Sequence, residues 1–525
     1  MKITKKLFAV IMSAVMIITM FAGVTASAYS INPYPVIFVN GLATSDLINT
    51  ETGERVFPFP QEKMTQAVKD IIGPAVGALA LGRYKQFGDP LIELAETLFG
   101  DLECDENGVP VLPTTYNPKD AVDLEQDFTQ YYVPGVGYTT DREITMTYDW
   151  RLSPVIIADD LNDLIEAVCE STGADKVKLT GFSMGSSVVN SYIARYGYDR
   201  IDSVMFLAGA YNGLNSAGEP FAGRVSSSGK AIVNFLPVYI DDAITGQLIT
   251  ALVDTLYDFG IVDNVVDKVL KIVEVNKDYV YENTLSALFG RWASLWAFVP
   301  YDQYDDAKAV VGANAGLSDE FIELIDYYHY EVQGKTEERI NYFLDNGINF
   351  GIITKYGYTT TPVQEDLDLN GDGIIEAKYE SFGGTLANAG ETLGGDYVQA
   401  VQDGHDHVSP DNKVDASTCK FPEYTWFVKN CPHASNSGLS DLRRYIMLSD
   451  EQVSVWDNED FPQFMIKTAD GDVVPLTEEN DFNAHTAKDK NLFEKIRSLF
   501  DLIKIFFKWV NNAIAGIFSV NGEGC

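Results

Sequence analysis

Residues 176–190, Lys-Val-Lys-Leu-Thr-Gly-Phe-Ser-Met-Gly-Ser-Ser-Val-Val-Asn, constrain the fold more than any other stretch. Val177 and Leu179 alternate with polar neighbours and predict a short strand. Ser186 to Tyr196 predicts a helix with Val188, Val189 and Ile193 on its inner side. Between the two, Gly181-Phe182-Ser183-Met184-Gly185 matches G-x-S-x-G. A strand that turns sharply into a helix lifts a serine hydroxyl above its sheet, and the flanking glycines leave room for the strand and helix that enclose the turn. An inert Gly-Ser turn also matches five letters in a chain with 42 glycines. The strand before and the helix after favour Ser183 as a nucleophile.

A chain of 525 residues accommodates one large domain with insertions, or two or three smaller ones. With 46% hydrophobic and 12% aromatic residues it can build a sizeable core. It carries 38 Lys+Arg against 76 Asp+Glu, and a field of that sign repels nucleic acid, so no nucleic-acid partner is expected. Lys2, Lys5 and Lys6, the apolar run Leu7 to Val24, and Ala26-Ser27-Ala28 predict a signal peptide over residues 1–28 and an exported, extracellular protein. Export permits disulfides, and of the five cysteines Cys419 and Cys431 lie close enough in sequence to be the expected pair.

Val36 to Val39 is a continuous apolar run suited to a strand buried on both faces, and it ends in Asn40-Gly41-Leu42. In a serine enzyme built on such a sheet, a glycine-containing loop after an early strand supplies one backbone N–H to the oxyanion, and the residue after the nucleophile supplies the other. Leu42 and Met184 are those donors here. Further strands are predicted at Ile144 to Tyr148, Ile201 to Gly209 and Ile348 to Thr354, and an amphipathic helix is marked by Ile157, Leu161, Leu164, Ile165 and Val168. Strands alternating with helices predict an α/β fold with a mostly parallel sheet covered on both faces.

The order of Asn40-Gly41-Leu42, Tyr148-Asp149-Trp150-Arg151, the serine elbow and the Gly209–Gly213 segment resembles α/β-hydrolase lipases. The Tyr-Asp-Trp-Arg segment is most similar to the lecithin:cholesterol acyltransferase and lysosomal phospholipase A2 group. The resemblance covers residues 33–215 and 345–436, and departs at Asn40, where His or Pro often precedes the loop glycine. It implies the α/β-hydrolase fold, with a helical cap or lid over residues 215–344 that forms an acyl-chain pocket. The aromatic run Phe289 to Phe298 falls in that cap, although a helical subdomain also needs such residues for its own core.

Asp368-Leu369-Asn370-Gly371-Asp372-Gly373-Ile374 places oxygen donors and a glycine as in the first part of an EF-hand loop. Asp368, Asn370, Asp372, the Ile374 carbonyl and Glu380 are the expected ligands of a structural Ca2+. The departure is position 12, which is Tyr379, with Glu380 one residue late. An unoccupied acidic turn fits the same residues. No cofactor is expected to be required for catalysis.

A serine nucleophile needs a histidine base oriented by a carboxylate, in the chain order Ser, Asp, His for this architecture. The five histidines are His329, His405, His407, His433 and His485. His433, following Tyr424 to Val428 and Cys431-Pro432, is the expected base. Asp411, in Ser409-Pro410-Asp411-Asn412-Lys413-Val414, resembles the family's Asp-Gly-x-Val acid segment, and Asp403, Asp406 and Asp415 are alternatives. Asp403, His405, Asp406 and His407 also carry donor types suited to a transition metal.

Phe464 to Thr468 and Val473 to Leu476 predict a small hairpin within a C-terminal extension, residues 441–488. Residues 489–525 predict an amphipathic helix in which Lys495, Arg497, Lys504 and Lys508 interleave with Phe, Ile and Trp, suited to a lipid or membrane surface or to docking on the core. The hydrolase core is expected over 29–214 and 345–440. The expected activity is hydrolysis of lipid-like carboxylic esters through Ser183, His433 and Asp411. The alternatives are acyl transfer to an alcohol, and an idle, calcium-ordered surface-binding protein on the same scaffold.

Overall fold

The structure is a computed structural model that describes residues 31–112, 114–116, 122–235, 243–365, 367, 369–483, 494–495 and 498. Its main strands are β1 (Val36–Val39), β2 (Ile144–Met146), β3 (Val177–Phe182), β4 (Ile201–Leu207), β5 (Asn349–Tyr356), β6 (Thr425–Lys429), β7 (Phe464–Lys467) and β8 (Val473–Pro475). They form one eight-stranded sheet in the order β8-β7-β6-β5-β4-β3-β1-β2, parallel throughout except at the β8 edge.

Both faces of the sheet are covered, which is why the central strands read as unbroken apolar runs. Ile37, Val39, Leu179, Val204, Phe206, Phe350 and Ile352 pack on one side with helices α1 (Pro154–Thr172) and α2 (Met184–Tyr196). Phe38, Phe182, Met205, Leu207 and Ile353 pack on the other with α3 (Ser440–Leu448). Helix α1 begins where Ser153 accepts the Val155 N–H at 3.2 Å and Pro154 occupies the first turn, and it ends at Gly173 with φ of 73°. The five apolar residues predicted to mark its inner face are all buried.

The segment after β4 leaves the sheet and forms helices, among them Asn215–Phe221, Ala243–Asp258, Ile261–Val280 and Asp319–Tyr327. The first and last of these contribute Phe221, Phe321 and Ile325 to a separate core with Trp296, Tyr304 and Val311. Helices Gln61–Leu81 and Gly88–Phe99 join this layer from far upstream. Asn276 Nδ2 donates to the Tyr84 carbonyl at 2.8 Å, Tyr279 donates to Asp89 at 2.8 Å, and Ala78, Phe87 and Ile272 share a cluster.

Two expectations are corrected here. The Phe464–Lys467 and Val473–Pro475 hairpin is not an extension: β7 pairs in parallel with β6, so the sheet continues past residue 440. Cys419 and Cys431 are free thiols. They flank β6, whose five residues span about 16 Å at ~3.3 Å per residue, well beyond the reach of one disulfide. In the aromatic run Phe289 to Phe298, Trp292 and Trp296 follow the packing reading. Trp292 packs edge-on against Trp150 at 5.6 Å, and Trp296 is fully buried in the cap core. Most of the C-terminal amphipathic segment, the signal peptide, His485 and Cys525 lie outside the described residues.

Candidate active site

Ser183 sits at the C-terminal end of β3 with φ 53° and ψ −124°, a conformation that costs a non-glycine residue of order 1–3 kcal/mol and persists only where its surroundings impose it. Here they do. Its N–H donates to Leu207 O at 3.1 Å, and its carbonyl accepts from the Ala210 N–H at 3.1 Å and the Ser186 hydroxyl at 2.6 Å. Both elbow glycines are needed for space. A Cβ on Gly181 would lie 2.6 Å from Ser186 Cα, and one on Gly185 would collide with the carbonyl oxygens of Val39 and Asn40.

The Asn40–Ser45 loop passes directly over the serine. A Cβ on Gly41 would lie 2.7 Å from Ser183 Cβ. The Tyr148–Arg151 segment holds this loop in place. The Tyr148 hydroxyl donates to Asn40 O, the Trp150 indole N–H to Ser45 O at 3.2 Å, and the Tyr148 N–H to Ser45 Oγ at 3.2 Å. Asp149 and Arg151 form a buried ion pair at 2.6 Å that keeps the segment folded back on itself. Met184 opens α2, so its N–H has no acceptor one turn earlier in the helix.

His433 lies in the loop after β6, and its Nε2 is 3.0 Å from Ser183 Oγ. Its other nitrogen, Nδ1, is hydrogen-bonded to Asp372 Oδ2, and its backbone N–H donates to Asp372 O at 2.9 Å. The ring stacks on Phe182 with centroids 5.2 Å apart. Beneath it the fully buried Lys355 ammonium donates to His433 O at 2.7 Å, Ser435 O at 3.0 Å and Asn436 Oδ1 at 2.9 Å. Burial lowers the Lys355 pKa, and nearby anionic groups oppose that shift.

Asp411, the expected acid, is elsewhere. Its buried carboxylate pairs with Lys429 at 2.7 Å and accepts from the Ser409 hydroxyl at 2.6 Å and Tyr356 at 3.3 Å. Lys429 and Tyr356 end β6 and β5, so Asp411 neutralises a cation at the C-terminal ends of these strands and does not face His433. The alternatives are also engaged away from it. Asp403 bonds the His407 ring at 2.9 Å, Asp406 accepts the Val408 N–H at 3.1 Å, and Asp415 accepts Tyr397 and the Ala400 N–H at 2.8 Å each. His407 turns its second nitrogen to Gln463 at 2.9 Å, and His405 stacks on Trp456 at 4.0 Å, so these four residues do not converge on one metal position.

Asp372 occupies the place expected for Asp411, in the loop after β5. Its carboxylate accepts the Ile374 and Ile375 N–H groups at 2.8 Å each and faces the histidine ring. Asn370 accepts from the Gly357 N–H at 2.8 Å and donates to Ala387 O at 3.2 Å. Glu380 accepts the Lys355 N–H at 2.8 Å. Asp368 lies outside the described residues. The Asn370 carboxamide and one Glu380 carboxylate oxygen thus engage protein partners, while Glu380 Oε1 is buried without one. Among the described residues, Asp372, Glu380 and His433 bring ligand atoms within 4.8 Å of one another.

Burial raises the Asp372 carboxyl, yet the His433 ring and the hydrogen bonds from His433, Glu380 and Ile375 outweigh it, and the net pKa is lowered. Burial and the neighbouring Asp372 raise Glu380 well above the usual carboxyl range.

A family model described as "alpha/beta hydrolase fold" matches residues 121–224, which contain β2, α1, the elbow and β4. No curated protein matches the sequence. Several solved structures are similar, two of them as follows. One, titled "The crystal structure of Tle4-Tli4 complex", is 14% identical over 67% of this chain and 89% of that chain, with a TM-score of 0.26. The other, "X-ray crystal structure of a putative aryl esterase from Burkholderia cenocepacia", is 14% identical over 60% of this chain and 90% of that chain, with a TM-score of 0.14. Scores this low are no guide to chemistry.

Proposed function

We propose that the protein, which has the α/β-hydrolase fold of a mostly parallel sheet covered by helices on both faces, is a serine hydrolase of carboxylic esters with Ser183 as nucleophile, His433 as base and Asp372 as orienting acid. The observation that carries this is the hydrogen-bonded chain Ser183 Oγ–His433 Nε2 at 3.0 Å with Asp372 on Nδ1. Ser183 attacks the acyl carbonyl as His433 takes its proton. Asp372 fixes the tautomer and stabilises the imidazolium. The N–H groups of Leu42 and Met184 receive the oxyanion, and His433 returns the proton to the departing alcohol. Water, activated by His433, then hydrolyses the acyl-enzyme.

Two features support a lipid-like ester. Tyr148–Arg151 resembles the phospholipase and acyltransferase group, and it holds the oxyanion loop here. The cap also exposes apolar residues on its outer helices: Ile72, Val76 and Leu81 on one, and Ile261, Val265 and Val269 at four-residue intervals on the other. Export through residues 1–28 and surface contact through the C-terminal segment complete the proposal.

The test is hydrolysis of nitrophenyl esters of increasing chain length by the wild type and Ser183→Ala. Turnover that requires Ser183 and rises with chain length supports the proposal. Short-chain preference would remove the lipid part. Absence of Ser183-dependent turnover together with failure of a fluorophosphonate to label Ser183 would favour an idle scaffold. Adding an acceptor alcohol and analysing products separates hydrolysis from acyl transfer.

A further inference from the structure

Lys355 lies near the end of β5, a strand buried along its whole length, where an ammonium is costly unless its donors are used. Among the described residues, all its side-chain hydrogen bonds go to one turn, the segment after β6 that carries His433. Its Nζ donates to His433 O at 2.7 Å, Asn436 Oδ1 at 2.9 Å and Ser435 O at 3.0 Å, with Pro432 O at 3.4 Å. The turn closes on itself where the Ser435 N–H donates to Pro432 O at 2.9 Å. The same ammonium lies over the Phe182 ring, 5.5 Å from its centroid, and the His433 ring stacks on Phe182 as well. From the opposite side of β6, Lys467 at the end of β7 donates to Ser435 Oγ, to Ser437 Oγ at 2.8 Å and to Ser437 O at 3.1 Å.

Three carbonyl oxygens and a carboxamide oxygen thus converge on one point, and their negative ends repel one another unless a donor stands between them. An ammonium, with three donors and no acceptor, meets that need, and a buried carbonyl left without a donor is unfavourable. The consequence falls on the histidine. Its backbone N–H is held by Asp372 O at 2.9 Å and its carbonyl by Lys355, so the peptide groups on both sides of its Cα are fixed while Nε2 stands 3.0 Å from Ser183 Oγ. Resting on the catalytic reading above, we infer that Lys355 is a positioning residue for the base: its ammonium gathers the oxygens of the Pro432–Asn436 turn and so sets the His433 backbone at the distance from Ser183 that proton transfer needs. Lys467 holds the turn beyond His433 and does not share this role.

The experiment measures fluorophosphonate labelling of Ser183 in the full chain and its Lys355→Met and Lys467→Met variants, resolved into probe affinity and maximal labelling rate, with thermal melts confirming folding. Lys355→Met keeps the volume without the donors. It is expected to lower the maximal rate about 10²-fold, the scale of misplacing a reacting group by about 1 Å, and to leave probe affinity unchanged. Lys467→Met is expected to label near the wild-type rate. Should Lys355→Met melt below the assay temperature, Lys355→Gln, which keeps two donors on a shorter stem, carries the same comparison with an expected loss of about tenfold. Placed in a His433→Ala background, the Lys355 substitution should change the residual rate little, because a residue that acts through the base has nothing left to position. A merely structural role would lower the rate in both backgrounds. Equal losses in both backgrounds, wild-type labelling by a folded Lys355→Met, or an equal loss in Lys467→Met would each overturn the inference. Failure of the catalytic reading shows differently, as a wild type that does not label at Ser183 or labels as fast after His433→Ala, and it would overturn both together.

Discussion

Asp372 holds His433 twice: its carboxylate bonds the ring Nδ1, and its carbonyl oxygen accepts the His433 backbone N–H at 2.9 Å. The imidazole is thereby fixed in tautomer by one contact and in position by the other, with Nε2 left to face Ser183. Because the two residues follow adjacent strands, β5 and β6, the spacing between His433 and Asp372 is set by the sheet.

The approach of the Asn40–Ser45 loop to Ser183 predicts that position 41 tolerates only glycine. Gly41→Ala places a methyl group 2.7 Å from Ser183 Cβ, so either the loop lifts or the serine turns. Ester turnover should fall about 10²-fold, the scale of losing one oxyanion donor, with little change in melting temperature. Full activity in Gly41→Ala would show that this loop does not serve the oxyanion.

The cap contributes an acid-sensitive element. His329 stacks on Tyr304 at 3.6 Å in the cap core, and burial lowers its pKa from 6.5 to about 4. Between those values the unfolded chain binds the proton and the folded one does not, so stability is fully present above 6.5 and declines as pH falls toward 4. Thermal melts across this range should show a shallower acid decline in His329→Gln than in the wild type. Parallel declines would contradict the assignment.

The loop from Asn370 to Glu380 should stand without calcium. Chelation is expected to leave both melting temperature and ester turnover unchanged. Asn370→Ala should lower the melting temperature with or without chelator, because it strips a partner from the Gly357 N–H and the Ala387 carbonyl. A chelator-induced loss that calcium restores would reinstate the cation site.

Much of this site was legible from local pattern. The apolar runs announced the central strands, the elbow glycines announced the turn at Ser183, and strand order led to His433. Asp372 was missed because its surroundings satisfy two physical demands at once. A tight Asn-Gly-Asp-Gly turn that presents oxygens suits a cation loop and suits equally a carboxylate capped by its own downstream N–H groups. The ordering rule held the missing signal, since Asp372 follows β5 and precedes β6. Asp411 fits that rule too, and only the position of Lys429 at the end of β6 draws it away. The docking of residues 61–99 on the cap left no local trace, because Tyr84 and Asn276 meet across 192 residues of sequence.

The most direct test compares fluorophosphonate labelling of Ser183 in the wild type, Asp372→Asn and Asp411→Asn. Asp372→Asn should remain folded and label about 10³–10⁴-fold more slowly, as when a triad acid is replaced by its amide. Asp411→Asn loses a buried ion-pair partner and should be destabilised by about 3 kcal/mol, while its folded fraction labels at the wild-type rate. The reverse pattern, rapid labelling in Asp372→Asn and none in folded Asp411→Asn, would contradict the account.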